Sequence, residues 1–167
     1  MQQLTTTYNA VDIALNKYNK SDEALILESL WVWKVACILN EKNGSRRPPL
    51  PEDFSESIVA YICGLHHKKG RGPDAFLLNQ NNEIIKSIEI KATITESGFQ
   101  EIKNEQYDEL YWFRFHEHEK LKYEIYKFSR TKIEQFLNGK NNRKINLIKL
   151  ICENDRPIAT GRIGLVQ

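Results

Sequence analysis

Asp74, Glu89 and Lys91 are the residues whose types and spacing could do chemistry in this chain. They lie in the stretch GPDAFLLNQNNEIIKSIEIKAT, residues 72–93. Two carboxylates beside one lysine suit a hard divalent metal, which prefers oxygen ligands and keeps several waters. Composition and spacing alone therefore describe a candidate metal-dependent phosphodiesterase centre. The competing reading is a salt-bridged surface hairpin, in which Glu89 and Lys91 contribute little. The triplet itself is cheap, because a second copy stands at Glu101-Ile102-Lys103. Context separates the two. The first copy ends an apolar alternating segment after Pro73-Asp74, and the second follows Gly98 in a polar stretch.

The elements around these residues decide whether they can meet. The pattern predicts a strand starting at Asp74, a polar turn, and a second strand carrying Glu89 and Lys91. Side chains alternate along a strand, so Ile88 and Ile90 face one way and Glu89 and Lys91 the other, about 7 Å apart at their backbones. Asp74 at the mouth of the neighbouring strand can then meet Glu89. Upstream, DFSESIVAYICG predicts a helix from near Asp53 to about Gly64, with Asp53 and Glu56 as a capping box and Gly64 as the stop. Glu56 thus has two readings, as a cap or as an extra acid near the site. Between helix and strand, residues 66–71 read HHKKGR, a basic loop. His66, His67, Lys68, Lys69 and Arg71 are candidates for DNA contact, since lysines suit phosphates and arginine can bind guanine bidentately. The alternative is a solvated basic loop.

Residues 5–18 carry Val11, Ala14, Leu15 and Tyr18 on one helical stripe and predict a helix. Ser21 can cap the next helix, from about Asp22 to Lys42, which is apolar nearly all round. Burial on two sides is expected there, against the core and either a partner subunit or the remainder of a monomer's core. The loop NGSRRPPLP, residues 43–51, holds Arg46 and Arg47, which are either phosphate contacts or solvated. ATITESGFQEIKNEQ reads as irregular or briefly helical. ELYWFRFH, residues 109–116, predicts a central strand apolar on both faces. EHEKL makes a turn, KYEIYKFS a strand, and TKIEQFLNG a short helix with a glycine stop. His116 and His118 can share one face of a strand end, but a charged turn is the simpler reading. The tail from Lys144 has strand-like alternation broken at Asn154–Pro157 and at Gly161 and Gly164.

A chain of 167 residues suits one domain over residues 1–167, with an N-terminal helical part over about 1–45 and a catalytic core over about 50–140. Net charge is +2, which neither demands nor excludes nucleic acid. Three scattered cysteines, Cys37, Cys63 and Cys152, support neither a disulfide framework nor a zinc ribbon. No apolar run is long enough to cross a membrane and MQQLTTTYN is no secretory signal, so a cytoplasmic setting is expected.

Pro73-Asp74 followed fifteen residues after the aspartate by Glu89-Ile90-Lys91 resembles the PD-(D/E)xK nuclease superfamily. FSESIVAYICGLHHKKGRGPDAF, EIKAT, QYDELYWFRF and YEIYKF extend the resemblance, over roughly residues 50–130, to the small type II restriction endonucleases that cut at GCNGC. The resemblance implies an α/β (α+β) fold with a restriction-endonuclease-like mixed central β-sheet flanked by helices. It implies that Asp74, Glu89 and the main-chain carbonyl of Ile90 bind magnesium, and that Lys91 orients the attacking water or stabilises its deprotonated form. Glu56 matches a preceding-helix glutamate that the superfamily often has. The implied partners are double-stranded DNA, a second copy in a two-fold homodimer, and a companion DNA methyltransferase. A nicking, repair or junction-resolving nuclease of the same superfamily is the first rival, and a non-catalytic DNA-binding module the second.

Overall fold

The computed structural model describes residues 1–94, 98–102, 106–116, 121–138 and 143–162. Its strands are β1 (Gln2–Tyr8), β2 (Val11–Lys17), β3 (His66–His67), β4 (Ala75–Leu78), β5 (Ile84–Thr93), β6 (Phe99–Glu101), β7 (Glu109–His116), β8 (Lys122–Ser129), β9 (Lys144–Asn146) and β10 (Ala159–Arg162). Eight of them form one mixed sheet of strand order β1-β2-β3-β4-β5-β7-β8-β10. The two short strands β6 and β9 pair separately. Three helices, α1 (Glu23–Lys42), α2 (Glu52–Cys63) and α3 (Arg130–Leu137), flank the sheet. This is the expected mixed central sheet with helices on its faces.

The motif hairpin forms as its alternation dictates. Strands β4 and β5 pair antiparallel, with Ala75 opposite Ile88. Ile88 and Ile90 enter the core beneath α1 and α2, beside Ile58, Val59 and Phe113. Parallel to β5 runs β7, which places Leu110 beside Glu89 and Trp112 beside Lys91. Trp112 is fully buried, and its indole N–H donates to Thr93 Oγ1 at 2.8 Å. That bond satisfies the indole and pins β5 two residues beyond Lys91. Phe113 is also fully buried, on the opposite face. Truncating such a ring costs about 3–5 kcal/mol. The central position expected for β7 follows from these two buried faces.

Several expectations are corrected. Residues 5–18 form no helix. They belong to the β1–β2 hairpin, in register from Gln2 opposite Lys17 to Tyr8 opposite Val11. Asn9 and Ala10 make its two-residue turn with φ of 50° and 63°. Primed turns of this kind match strand twist, and the β-branched run Thr5–Thr7 favours a strand. The N-terminal part is therefore half sheet, and β2 extends the sheet beside β3. Asn19, not Ser21, caps the entry to α1, through a 3-10 turn whose Ser21 N–H donates to Asn19 Oδ1 at 2.9 Å. Helix α1 buries a single stripe, Ile26, Leu30, Trp33 and Cys37. Its other face, with Leu25, Val32 and Leu39 each more than half exposed, is open, so α1 is no central core helix. Helix α3 ends on Asn138 in the left-handed region, φ 41°, rather than on glycine. Among the described residues of the stretch read as irregular or briefly helical, Phe99–Glu101 form β6, and the tail adds β9, a 3-10 turn and β10.

Candidate active site

The β4–β5 register brings the three motif residues together. The Asp74 N–H donates to the Ile88 carbonyl at 2.9 Å, so Asp74 sits at the entrance of β4 against β5. The Ile90 N–H donates to Asp74 Oδ2 at 2.7 Å, which fixes the carboxylate against the strand that carries Glu89. Lys91 Nζ donates to Glu89 Oε1 at 2.6 Å, so the alternation that puts both on one face also puts them in contact. Glu89 is 2% exposed, and its other oxygen, Oε2, is buried without any hydrogen-bond partner among the described residues. A buried, half-satisfied carboxylate is costly unless something else binds it.

Electrostatics give the same message. Burial pushes the Asp74 carboxyl up to about 7, with the charges of Glu89 and Glu56 adding and the Ile90 N–H and Lys91 opposing. Burial works against the Lys91 ammonium, but Glu89 and Asp74 outweigh it and the net shift is upward. The site therefore holds more carboxylate than its one lysine neutralises. A divalent cation fits this donor set, since hard cations take carboxylate and carbonyl oxygens and make up the remainder with water. Among the described residues no three His, Cys, Asp or Glu side chains converge as a closed cage. An ion here would take two carboxylates and solvent, which magnesium accepts.

Glu56 does not cap α2. The N-cap is Pro51 and no side-chain cap forms, so the capping box expected with Asp53 is absent. Instead Glu56 Oε2 lies 3.0 Å from His67 Nε2, and its charge is felt by Asp74. Gly64 closes the helix in the left-handed region as expected, φ 66°.

The basic loop divides in two. His66 and His67 lie in β3, not in the loop, and are 8% and 0% exposed. Burial, with Lys17 adding, lowers the His66 pKa, which removes it as a phosphate-binding cation. His67 uses both ring nitrogens inside the protein. Both rings lie inside the protein rather than on the loop surface. Residues 68–73 form the loop proper, closed by the Lys68 N–H donating to the Asp74 carbonyl at 2.8 Å. Gly70 and Gly72 take φ of 95° and 94°, which side-chain-bearing residues rarely adopt. Lys69 and Arg71 stand on this loop with at least part of each side chain in solvent, while Lys68 Nζ turns back to the Arg71 carbonyl. Arg46 and Arg47 line a surface cleft with Pro48, Pro49 and Ile94, just past the end of β5. His116 Nε2 lies 3.1 Å from Glu124 Oε2, and Glu117, His118 and Glu119 fall outside the described residues, as does Lys103 of the second triplet.

Residues 18–148 match the family described as Bsp6I restriction endonuclease. The chain belongs to that family. The match spans α1 through β9 and includes the whole of the Asp74–Glu89–Lys91 site. A search of curated proteins found no match. Restriction endonucleases cut double-stranded DNA and generally use divalent metal ions, and this membership makes the chain a DNA endonuclease. Sequence reasoning does not link Glu56 to His67, nor does it implicate Tyr18 and Ser57. Tyr18 stands 39 residues before Ser57 and 49 before His67, and the four carry no shared motif, so only folding reveals how they meet.

Proposed function

We propose that this chain is a type II restriction endonuclease of the PD-(D/E)xK kind, a single domain that hydrolyses both strands of a short duplex sequence with magnesium. The observation that carries this reading is the unsatisfied Glu89 Oε2 beside an Asp74 carboxyl pushed up to about 7, with Lys91 against Glu89, in a family of restriction endonucleases. Asp74, Glu89 and the Ile90 carbonyl would hold the ion. Bound there, magnesium would supply a polarised phosphoryl oxygen and a water of lowered pKa. Lys91 would donate from Nζ to the attacking water and stabilise its deprotonated form. Lys69 and Arg71, flanking Asp74, contact the phosphate backbone, with Arg46 and Arg47 on the other side. The target is GCNGC, and a companion methyltransferase protects the host's own copies.

Cutting both strands of a symmetric site calls for a two-fold dimer. The open face of α1 suits a second copy. In an antiparallel pair with its axis at Val35, Glu28 faces Lys42 of the partner subunit, because both lie seven residues from Val35. Among the described residues neither Glu28 nor Lys42 has an ion-pair partner. Val35→Glu is expected to convert the dimer to monomer in analytical ultracentrifugation, and an unchanged dimer would move the interface elsewhere.

Digestion of a fully sequenced plasmid with magnesium and with EDTA, followed by end sequencing, tests the activity. Discrete magnesium-dependent fragments sharing one end sequence are expected, and Asp74→Ala, still folded, is expected to give none. Nicks, or cleavage of branched DNA only, would assign a repair-type nuclease instead. Magnesium-independent binding without cleavage would leave a DNA-binding module.

A further inference from the structure

Ser57, Tyr18, His67 and Glu56 form a hydrogen-bonded series, with His67 buried and the other three partly so, that the reading above does not use. Ser57 Oγ lies 2.9 Å from the Tyr18 hydroxyl. The same hydroxyl lies 3.0 Å from His67 Nδ1, and His67 Nε2 lies 3.0 Å from Glu56 Oε2. The His67 ring is fully buried and stacks on Tyr18 with centroids 6.0 Å apart. His67 Nε2 faces the Glu56 carboxylate and Nδ1 faces the Tyr18 hydroxyl, so both ring nitrogens are engaged. Burial raises the Tyr18 pKa, which keeps the phenol protonated. The hydrogen-bonded series ends on Glu56.

The far end of the series is not closed. Glu56 keeps 15% of its side chain exposed, and no other group among the described residues hydrogen-bonds it. Its charge reaches Asp74. Three observations thus converge on one carboxylate: it is freed from capping, gripped at one oxygen by His67, and held by a histidine that pairs across the sheet with Ala75, the neighbour of Asp74. A histidine buried only for packing does not need a partly open carboxylate at the end of a hydrogen-bonded series.

We propose that Ser57, Tyr18 and His67 are positioning residues that hold the Glu56 carboxylate at the edge of the Asp74–Glu89–Lys91 site, where it strengthens divalent-metal binding. This rests on the metal-site reading above. Glu56 does not close up with Asp74 and Glu89 as a third ligand, so it acts through its field and through solvent around the ion. Groups hydrogen-bonded to metal ligands change metal affinity by about 10–100-fold when removed, and a carboxylate acting through solvent around the ion is expected at the lower end of that range.

Two isosteres of His67 separate positioning from packing. Gln places its amide N–H near the Nε2 position and retains the bond to Glu56. Asn reaches only toward the Nδ1 position and retains the Tyr18 side while abandoning Glu56. Manganese affinity is read by electron paramagnetic resonance of the free ion, without DNA, with melting curves reporting folding. His67→Asn is expected to weaken manganese binding about tenfold, and His67→Gln to stay close to wild type. Equal loss in both variants would reduce His67 to a packing role and overturn the proposal, and so would wild-type affinity in His67→Asn. Asp74→Ala is the control. If it binds manganese as wild type does, the metal-site reading itself falls and takes this one with it. If it fails to bind while His67→Asn binds normally, the relay alone falls.

Discussion

Two acid-lysine clusters lie along β5, one toward each end, and they differ in one respect. At the start of the strand, Asp108 Oδ2 accepts from the Ser87 N–H at 2.7 Å and the Ser87 hydroxyl at 2.8 Å. Beside it Glu109 Oε1 pairs with Lys86 and lies 3.9 Å from Lys127, while the Tyr111 hydroxyl approaches its other oxygen at 3.5 Å. Glu109 alone meets two lysines, and Asp108 is satisfied by Ser87. At the other end, Asp74 and Glu89, with Glu56 nearby, share Lys91 alone, and Glu89 Oε2 has no partner among the described residues. Both clusters are built from the same residue types around the same strand. The balanced one fastens β5 to β7, and the acid-rich one is left short of positive charge. A buried polar cluster that the fold leaves unsatisfied is a candidate for function, because stability alone selects satisfied ones.

Breaking each cluster should separate these roles. Asp74→Ala or Glu89→Gln should lower the single-turnover cleavage rate by about 100-fold or more, with the fold intact by circular dichroism. Glu109→Gln should leave cleavage at the wild-type level and instead lower stability by about 1–2 kcal/mol in urea denaturation. If Glu109→Gln abolished cleavage in a folded protein, the division of labour would be wrong.

DNA binding should divide the same way. Measured with calcium to prevent turnover, Lys69→Ala and Arg71→Ala should weaken binding across all sequences. Each phosphate interaction removed should shrink the slope of log affinity against log salt by about 0.9. Lys86→Ala and Lys127→Ala, at the balanced end, should leave that slope unchanged.

Stability against pH should also separate the clusters. The folded Asp74 carboxyl, pushed up to about 7, stands above its ordinary value of 3.8. Protonation is therefore favoured in the folded state. Its contribution to metal-free stability is fully present below the ordinary value and is lost as pH rises through about 7. Melting temperatures in EDTA should fall across that window, Asp74→Asn should flatten the fall, and magnesium should offset it in the wild type. A flat wild-type profile would mean that burial and the neighbouring acids do not raise the Asp74 carboxyl.

Much of the site is legible in the linear chain. Strict alternation over Ile88-Glu89-Ile90-Lys91 leaves one arrangement in which the isoleucines are buried, and that arrangement puts Glu89 and Lys91 on one face. The polar turn before β5 makes the hairpin, and the hairpin brings Asp74 alongside. The N-terminal hairpin is illegible for the converse reason. Val11, Ala14, Leu15 and Tyr18 fit a helical stripe, while the turn that decides the matter rests on Asn9 and on Ala10, a residue with no preference for positive φ. The pairing of β2 with β3 selects the strand. The burial of His66 and His67 is hidden too, since a dipeptide beside Lys68-Lys69 looks like a basic loop until β2 and β4 close over it.

By itself the sequence determined the motif hairpin, the central strand β7, the helices α1 to α3 and the residues able to hold a cation, because local alternation and residue chemistry suffice for each. Only the tertiary structure decided which acids are satisfied and which are not. Glu89 and Glu109 are both strand glutamates, and nothing in their local sequence says which one will be left short of partners. The difference comes from neighbouring strands, where β7 and β8 bring Tyr111 and Lys127 to Glu109, while β4 and α2 bring further acids to Glu89. The Ser57–Tyr18–His67–Glu56 series has the same origin, since α2, β3 and the segment after β2 must all dock before its members can meet.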